Sequence, residues 1–288
     1  MKKFIKSLIL FSLPIVFFMI FAEIMFRHIP NPYSYNANYL ETSGNEIEIL
    51  ILGSSHSLFG IDTCEFSRKA FNAAHISQSL DLDYAILQKY SNKLSNLKTV
   101  IIPVSYYSLF EKLFESGIEK WRAKDYSIYY GLNVPIAFED RFEIFSKGCV
   151  QKFKNYILGK TYLPQADLQE SGIIAAKRHT IEKDTAQMMF PEMLNYLKSI
   201  IEFCEKKNCQ VILLTMPAWH TYRENMDAWQ WQKTLETAQA LEKQYQNVRY
   251  FNFITDPRFT ANDFGDADHL NPQGAKKMSK ILDSLNSN

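Results

Sequence analysis

Five short apolar runs, Glu46 to Leu52, Ala70 to Ala74, Lys98 to Val104, Cys209 to Met216 and Val248 to Phe253, constrain most of what this chain can fold into. Most are rich in Ile and Val, as strands of a parallel sheet covered on both faces must be. Helical patterns fall between and after them, at Gln78 to Leu94, Pro191 to Lys207, Trp229 to Gln246 and Pro272 to Leu285. This alternation predicts an α/β chain: a three-layer α/β/α sandwich around a five-stranded parallel sheet, joined by right-handed crossovers. Such sheets gather their functional groups at the carboxyl ends of the strands. The interval from Ser105 to Phe190 breaks the rhythm. It is dense in Tyr, Phe and Lys and includes "DYSIYYGLNVP" and "YILGKTYLP". The expectation there is a helical insertion or lid at about 105–190, with irregular packing under the sheet as the alternative.

Ahead of the sheet, Lys2, Lys3 and Lys6 precede an apolar run from Ser7 to Ala22 that reaches Phe26 if Glu23 lies near an interface. About 20 mostly apolar residues cross a bilayer, so residues 1–28 are expected to be a transmembrane signal anchor. A cleaved signal is the alternative, but "MIFAEIMF" has no small-x-small cleavage site. The lysines hold the N-terminus in the cytoplasm, which sends residues 46–288 to the periplasmic side. Residues 29–45, rich in Pro, Asn, Ser and Tyr, read as a linker. With 32 basic and 31 acidic residues the net charge is +1, which excludes the basic footprint of a nucleic-acid binder. Cys64, Cys149, Cys204 and Cys209 show no C-x-x-C spacing, so no metal is expected, and nothing calls for a cofactor. A local disulfide between Cys204 and Cys209 and two separate buried thiols both remain open.

Two distant segments carry chemistry. Gly53-Ser54-Ser55-His56-Ser57 leaves the first strand, and a tight turn there would present the Ser55 hydroxyl with its own N–H free for an anion. A serine needs a base and oxyanion donors to act as a nucleophile. The base candidate is His269, in "GDADHLNPQG", where Asn271 reads as a helix N-cap and Pro272 as the first helical residue. Asp266, three residues upstream, can turn back to the imidazole N–H; Asp268 is the rival orienter. At the end of the fourth strand, His220 and Tyr222 in "TMPAWHTYRE" are candidate substrate-binding residues on the rim, with core packing as the alternative. His28, His56, His75 and His179 receive no role.

Together the two blocks resemble those of the SGNH, or GDSL-type, hydrolases, with Ser54 where G-D-S has its Asp. Asp266-Ala267-Asp268-His269 resembles that superfamily's closing D-x-x-H block. The resemblance implies a flavodoxin-like fold, Ser55 as nucleophile, His269 as general base and acid, and Asp266 as orienting carboxylate. It implies an oxyanion hole from Ser55 N–H, from Ser77 where the family has Gly, and from Ser105, which falls nearest the family's Asn. "IIPVSYYSLF" lacks the G-x-N-D block, so a hydroxyl would replace an amide donor.

With an outward-facing anchor, the resemblance implies a serine O-acyl (acetyl) esterase acting on acylated carbohydrate, an envelope or exported polysaccharide. An O-acetyltransferase working with a separate multi-pass acyltransferase, and a catalytically weak glycan-binding scaffold, are the alternatives.

Overall fold

The computed structural model of the chain describes residues 1–145 and 165–286, together with Lys154 and Ile157. Two units divide it: Met1–Ala37 with Gly117–Thr161, and Asn38–Ser116 with Tyr162–Asn288.

All five expected strands form in the second unit: β1 (Ile49–Ile51), β2 (Ala70–Asn72), β3 (Thr99–Pro103), β4 (Gln210–Thr215) and β5 (Val248–Asn252). They pair in parallel in the order β2-β1-β3-β4-β5. That order places a topological switch point between β1 and β3, where such sheets open a crevice beyond the strand ends. Alternate side chains serve opposite faces. Ile49, Ile51, Ile101, Ile212 and Leu214 pack one face together with Met278 and Leu282. Leu50, Val100, Ile102 and Leu213 are offset by one residue from these and are fully buried.

In the first unit, α1 (Lys2–Arg27) has a mean hydropathy of 2.5 over its most apolar 18 residues and is long and apolar enough to cross a membrane. Its 26 residues span about 39 Å against a hydrocarbon core of about 30 Å. Glu23, near its end, accepts from the backbone N–H of Glu143 (3.1 Å) and Ile144 (3.1 Å) and pairs with Arg27 (2.6 Å). In the same unit, buried Lys124 donates to Asp125 (2.7 Å) and Glu143 (2.8 Å), so its ammonium has two carboxylate partners.

Three expectations need correction. The stretch expected as a linker contains a helix, α2 (Pro32–Ser43). Asn31 accepts from Ser34 N–H (3.0 Å) and Pro32 opens the first turn, while Tyr33, Ala37 and Leu40 are buried at helical spacing. The helix expected to begin at Pro191 instead runs through it. After α3 (Ser55–Gly60), α4 (Leu80–Lys89), α5 (Ala123–Ile128) and α6 (Leu168–His179), the next helix α7 spans Lys183–Lys206. Ala186, Met189, Met193, Leu197, Ile200 and Cys204 form one buried stripe across the proline, and that stripe outweighs the lost N–H. Nor is the interval 105–190 one insertion, since Gly117–Thr161 groups with α1 and α6 with the sheet. "YILGKTYLP" lies outside the described residues except for Ile157. Cys204 and Cys209 are free buried thiols, with Cys209 Sγ donating to Leu97 O (3.0 Å); Cys149 lies outside the described residues.

The chain closes with α8 (His220–Glu224), α9 (Ala228–Gln244), a short antiparallel pair β6 (Phe264–Asp266) and β7 (His269–Leu270), and α10 (Pro272–Asn286). The pair β6/β7 carries the second chemical segment, and Asn271 caps α10 as expected, accepting from Gln273 (2.9 Å) and Gly274 (3.0 Å).

Candidate active site

Gly53 ends β1 at φ +103°, a conformation that favours glycine, and a Cβ there would press on Ser57 Oγ and Pro103. Its N–H donates to buried Asp83 (2.8 Å) and Ser57 Oγ donates to Leu52 O (2.5 Å), so the turn is held from both sides. Ser54 then takes the N-cap position of α3 without a side-chain capping bond, leaving Ser55 half-buried at the carboxyl edge of the sheet beside the switch point.

His269 Nε2 lies 2.8 Å from Ser55 Oγ, across 214 residues of sequence. On its other side Nδ1 lies 2.9 Å from Asp266 Oδ1 and 3.1 Å from Oδ2. Asp266 Oδ1 also accepts from the backbone N–H of Asp268 (3.1 Å) and His269 (2.9 Å), which folds the segment back and fixes the ring. The three residues singled out from sequence thus form one hydrogen-bonded chain. In the neutral ring, an N–H at Nδ1 given to the carboxylate leaves Nε2 to face the serine as the base.

The electrostatics centre on Asp268. Its side chain is 1% exposed, and Oδ1 lies 3.4 Å from His269 Nδ1. Oδ2 has three cationic or ring neighbours: His56 Nε2 (3.5 Å), His179 Nε2 (3.5 Å) and Arg178 (3.6 Å). Those separations exceed hydrogen-bond length, and neither His56 Nε2 nor Asp268 Oδ2 has a closer partner. Burial resists ionisation of Asp268, but charge from His269 and contacts from the three histidines hold its carboxyl well below the usual range. Burial also disfavours the His269 imidazolium, yet Asp268 and Asp266 override it and push the pKa up to about 10. Burial keeps His56 below its ordinary value, while Asp268 and Glu111 raise His179 against the same penalty. His56, Asp268 and His269 bring three ligand atoms within 4.8 Å of one another. Both His269 nitrogens are engaged here, by Asp266 and Ser55, so a cation would compete with that chain.

Of the other expected site residues, Ser77 sits in a turn at φ +58°, strained for a non-glycine residue. Ser105 follows β3, but its Oγ is paired with His56 Nδ1 (2.7 Å) and its N–H with Ser108 (2.9 Å). The Ser105 hydroxyl expected in place of the amide donor is therefore engaged by His56. Tyr222 is also corrected: it is 1% exposed, packed with Tyr106 and Ala176 beneath the surface rather than on the rim. His220 opens α8 with its side chain 41% exposed and Nδ1 3.3 Å from Glu224. Trp219 N–H beside it donates to Ala267 O (2.8 Å), tying α8 to the loop that carries His269.

Sequence reasoning missed His56, His179 and Tyr107. His56 adjoins the nucleophile and was the one with a visible signal. Tyr107, in the loop after β3, places its hydroxyl 2.7 Å from Ser54 Oγ, with its ring stacked on His179 (4.0 Å between centroids, 14°).

Sheet order, switch-point serine and a closing D-x-x-H segment give a parallel α/β fold similar to that of the SGNH/GDSL hydrolases. A protein-family model without a descriptive name matches residues 138–287, just over half of the chain, and the chain belongs to that family. Among solved structures, it is similar to a GDSL-like lipase from Bacteroides thetaiotaomicron at 11% identity and a TM-score of 0.44, over 88% of this chain and 98% of that one. It is also similar to a Streptococcus pneumonia protein named for platelet activating factor, at 13% identity and a TM-score of 0.46, over 96% and 98%. None of the curated proteins matches. At these TM-scores the chemistry has to rest on the site's own geometry.

Proposed function

We propose that the protein is a serine-dependent O-acyl ester hydrolase. The observation that carries this reading is the continuous chain Ser55 Oγ, His269 Nε2, His269 Nδ1, Asp266, with Ser55 half-buried at its open end. His269 takes the Ser55 proton as Oγ bonds the ester carbonyl carbon, and the carbonyl oxygen becomes an oxyanion. Collapse breaks the carbon–oxygen bond to the alcohol, which leaves with the proton from His269. Water then repeats the sequence: its proton passes to Nε2, its oxygen bonds the acyl carbon, and the Ser55 oxygen departs with that proton. Asp266 holds the ring, while buried Asp268 adds a second compensating charge for the imidazolium.

The substrate assigned is an O-acetylated cell-envelope or exported polysaccharide. Support comes from α1, long and apolar enough to be an anchor, and from Lys2, Lys3 and Lys6, which favour an extracytoplasmic domain. A single comparison tests the reading: a fluorophosphonate probe applied to the full-length protein in detergent and to Ser55→Ala. Labelling confined to the parent is expected. Equal labelling of both, or none of the parent, removes the hydrolase reading.

A further inference from the structure

The loop after β3 lacks the amide donor expected of this fold, and Ser105, the nearest substitute, has its hydroxyl engaged by His56. An oxyanion formed on a Ser55-bound carbon would then rely on backbone N–H groups alone unless another donor reaches it. Losing one donor costs a factor of about 10² to 10³ in kcat, so a replacement matters.

We propose that Tyr107 supplies that donor: its hydroxyl, paired with Ser54 next to the nucleophile, donates to the oxyanion in place of the missing amide. The inference rests on the hydrolase reading above. Tyr107 sits two residues past Ser105, on the loop that leaves β3 at the switch point, facing the turn that leaves β1. Ser54 Oγ, 2.7 Å away, is one residue from the Ser55 N–H. When Ser54 donates its own proton to the phenol oxygen, the phenol proton is left free to point at the reacting carbonyl.

Tyr107 lies between two histidine rings. Its ring is clamped by the stacked His179 and by His56, edge-on at 5.4 Å, so the hydroxyl is placed before substrate arrives. The side chain is 5% exposed, and such low exposure strengthens a hydrogen bond to a developing charge. Burial also pushes the phenol pKa far upward, so the group remains a protonated donor throughout the alkaline range in which His269 becomes a base.

Tyr107→Phe keeps the ring and removes only the donor. In the full-length protein hydrolysing p-nitrophenyl acetate, kcat is expected to fall by about 10²-fold with KM nearly unchanged. Affinity for a trifluoromethyl ketone, which Ser55 converts to a tetrahedral oxyanion, should fall in parallel with kcat/KM. Ser54→Ala, which leaves the Tyr107 ring clamped but removes the partner that orients its O–H, should give a smaller loss and guards against misfolding of the first variant. Parental kcat and ketone affinity in a folded Tyr107→Phe overturn the inference and leave the hydrolase reading standing. If Ser55 of the parent is never acylated, both fall.

Discussion

Replacing Asp268 by Asn tests how the site holds its charge. Asp268 Oδ1 and His269 Nδ1 are 3.4 Å apart and almost wholly shielded from water. Unit charges at that separation, at an effective permittivity of about 20, interact by about 5 kcal/mol. This sets a ceiling of about 3.5 pH units on what one carboxylate can do to the imidazole. Arg178, His56 and His179 share the same carboxylate, so a shift of about 1 to 2 units is expected on its removal. Across the pocket wall, Asp266, Glu111, Tyr107 and Tyr222 are the other titratable groups that act on these histidines or on Asp268. Only neutral His269 can accept the serine proton, so its raised pKa makes parental activity climb with pH toward about 10. Asp268→Asn lowers that pKa and moves the acidic limb down. It also lowers the plateau, because the imidazolium has lost a counter-charge. Pseudo-first-order fluorophosphonate labelling of Ser55 across the pH range, with thermal unfolding run alongside, reads both effects. A folded variant whose limb stays in place or moves up refutes the assignment of Asp268 as a principal counter-charge.

Three further outcomes concern stability. A Cβ at Gly274 would overlap the backbone carbonyl of Asp263 in the first turn of α10; Gly274→Ala should cost about 1–3 kcal/mol, and an unchanged Tm would contradict the close approach. Ile51→Ala, at a fully buried position on β1, should cost about 2–5 kcal/mol in urea unfolding, and a loss below this range would place β1 outside the core. Burial raises Asp83 to about 7 from 3.8, so its contribution is whole below 3.8 and is lost as pH rises through about 7, on the order of 4 kcal/mol. Asp83→Asn, which can still accept from Gly53, should therefore raise Tm above pH 7 and flatten its fall between these values; a steeper fall would invert the sign.

Strands β1, β3 and β4 were legible because each is a short run dominated by Ile, Val and Leu and is buried almost throughout, as the middle of a covered parallel sheet requires. Ser55, Asp266 and His269 stood out by a Gly turn after a strand, an Asn-Pro helix start and the resemblance of the two blocks to the SGNH type, and the fold brings the three within hydrogen-bond reach. What local rules do not encode was missed. Tyr107 and His179 meet only because β3 and the end of α6 converge, and nothing in "VSYYSL" separates Tyr107 from its neighbour Tyr106. Tyr222 looked like a rim residue from its place after β4, yet the one-turn-plus helix α8 turns it inward against Tyr106. In α2, abundant Asn and Ser hid three apolar residues at helical spacing.

The bonds from Glu23 to the amides of Glu143 and Ile144 give α1 a place in the order of events. Glu143 and Ile144 lie 120 and 121 residues beyond Glu23 in the chain. At synthesis rates of about 5–20 residues per second, residue 143 is made about 6 to 24 s after Glu23. A leader peptidase cutting in that interval removes a segment that nothing yet holds. One that arrives later meets a carboxylate already satisfying two backbone donors, and its cut would strip both of their acceptor.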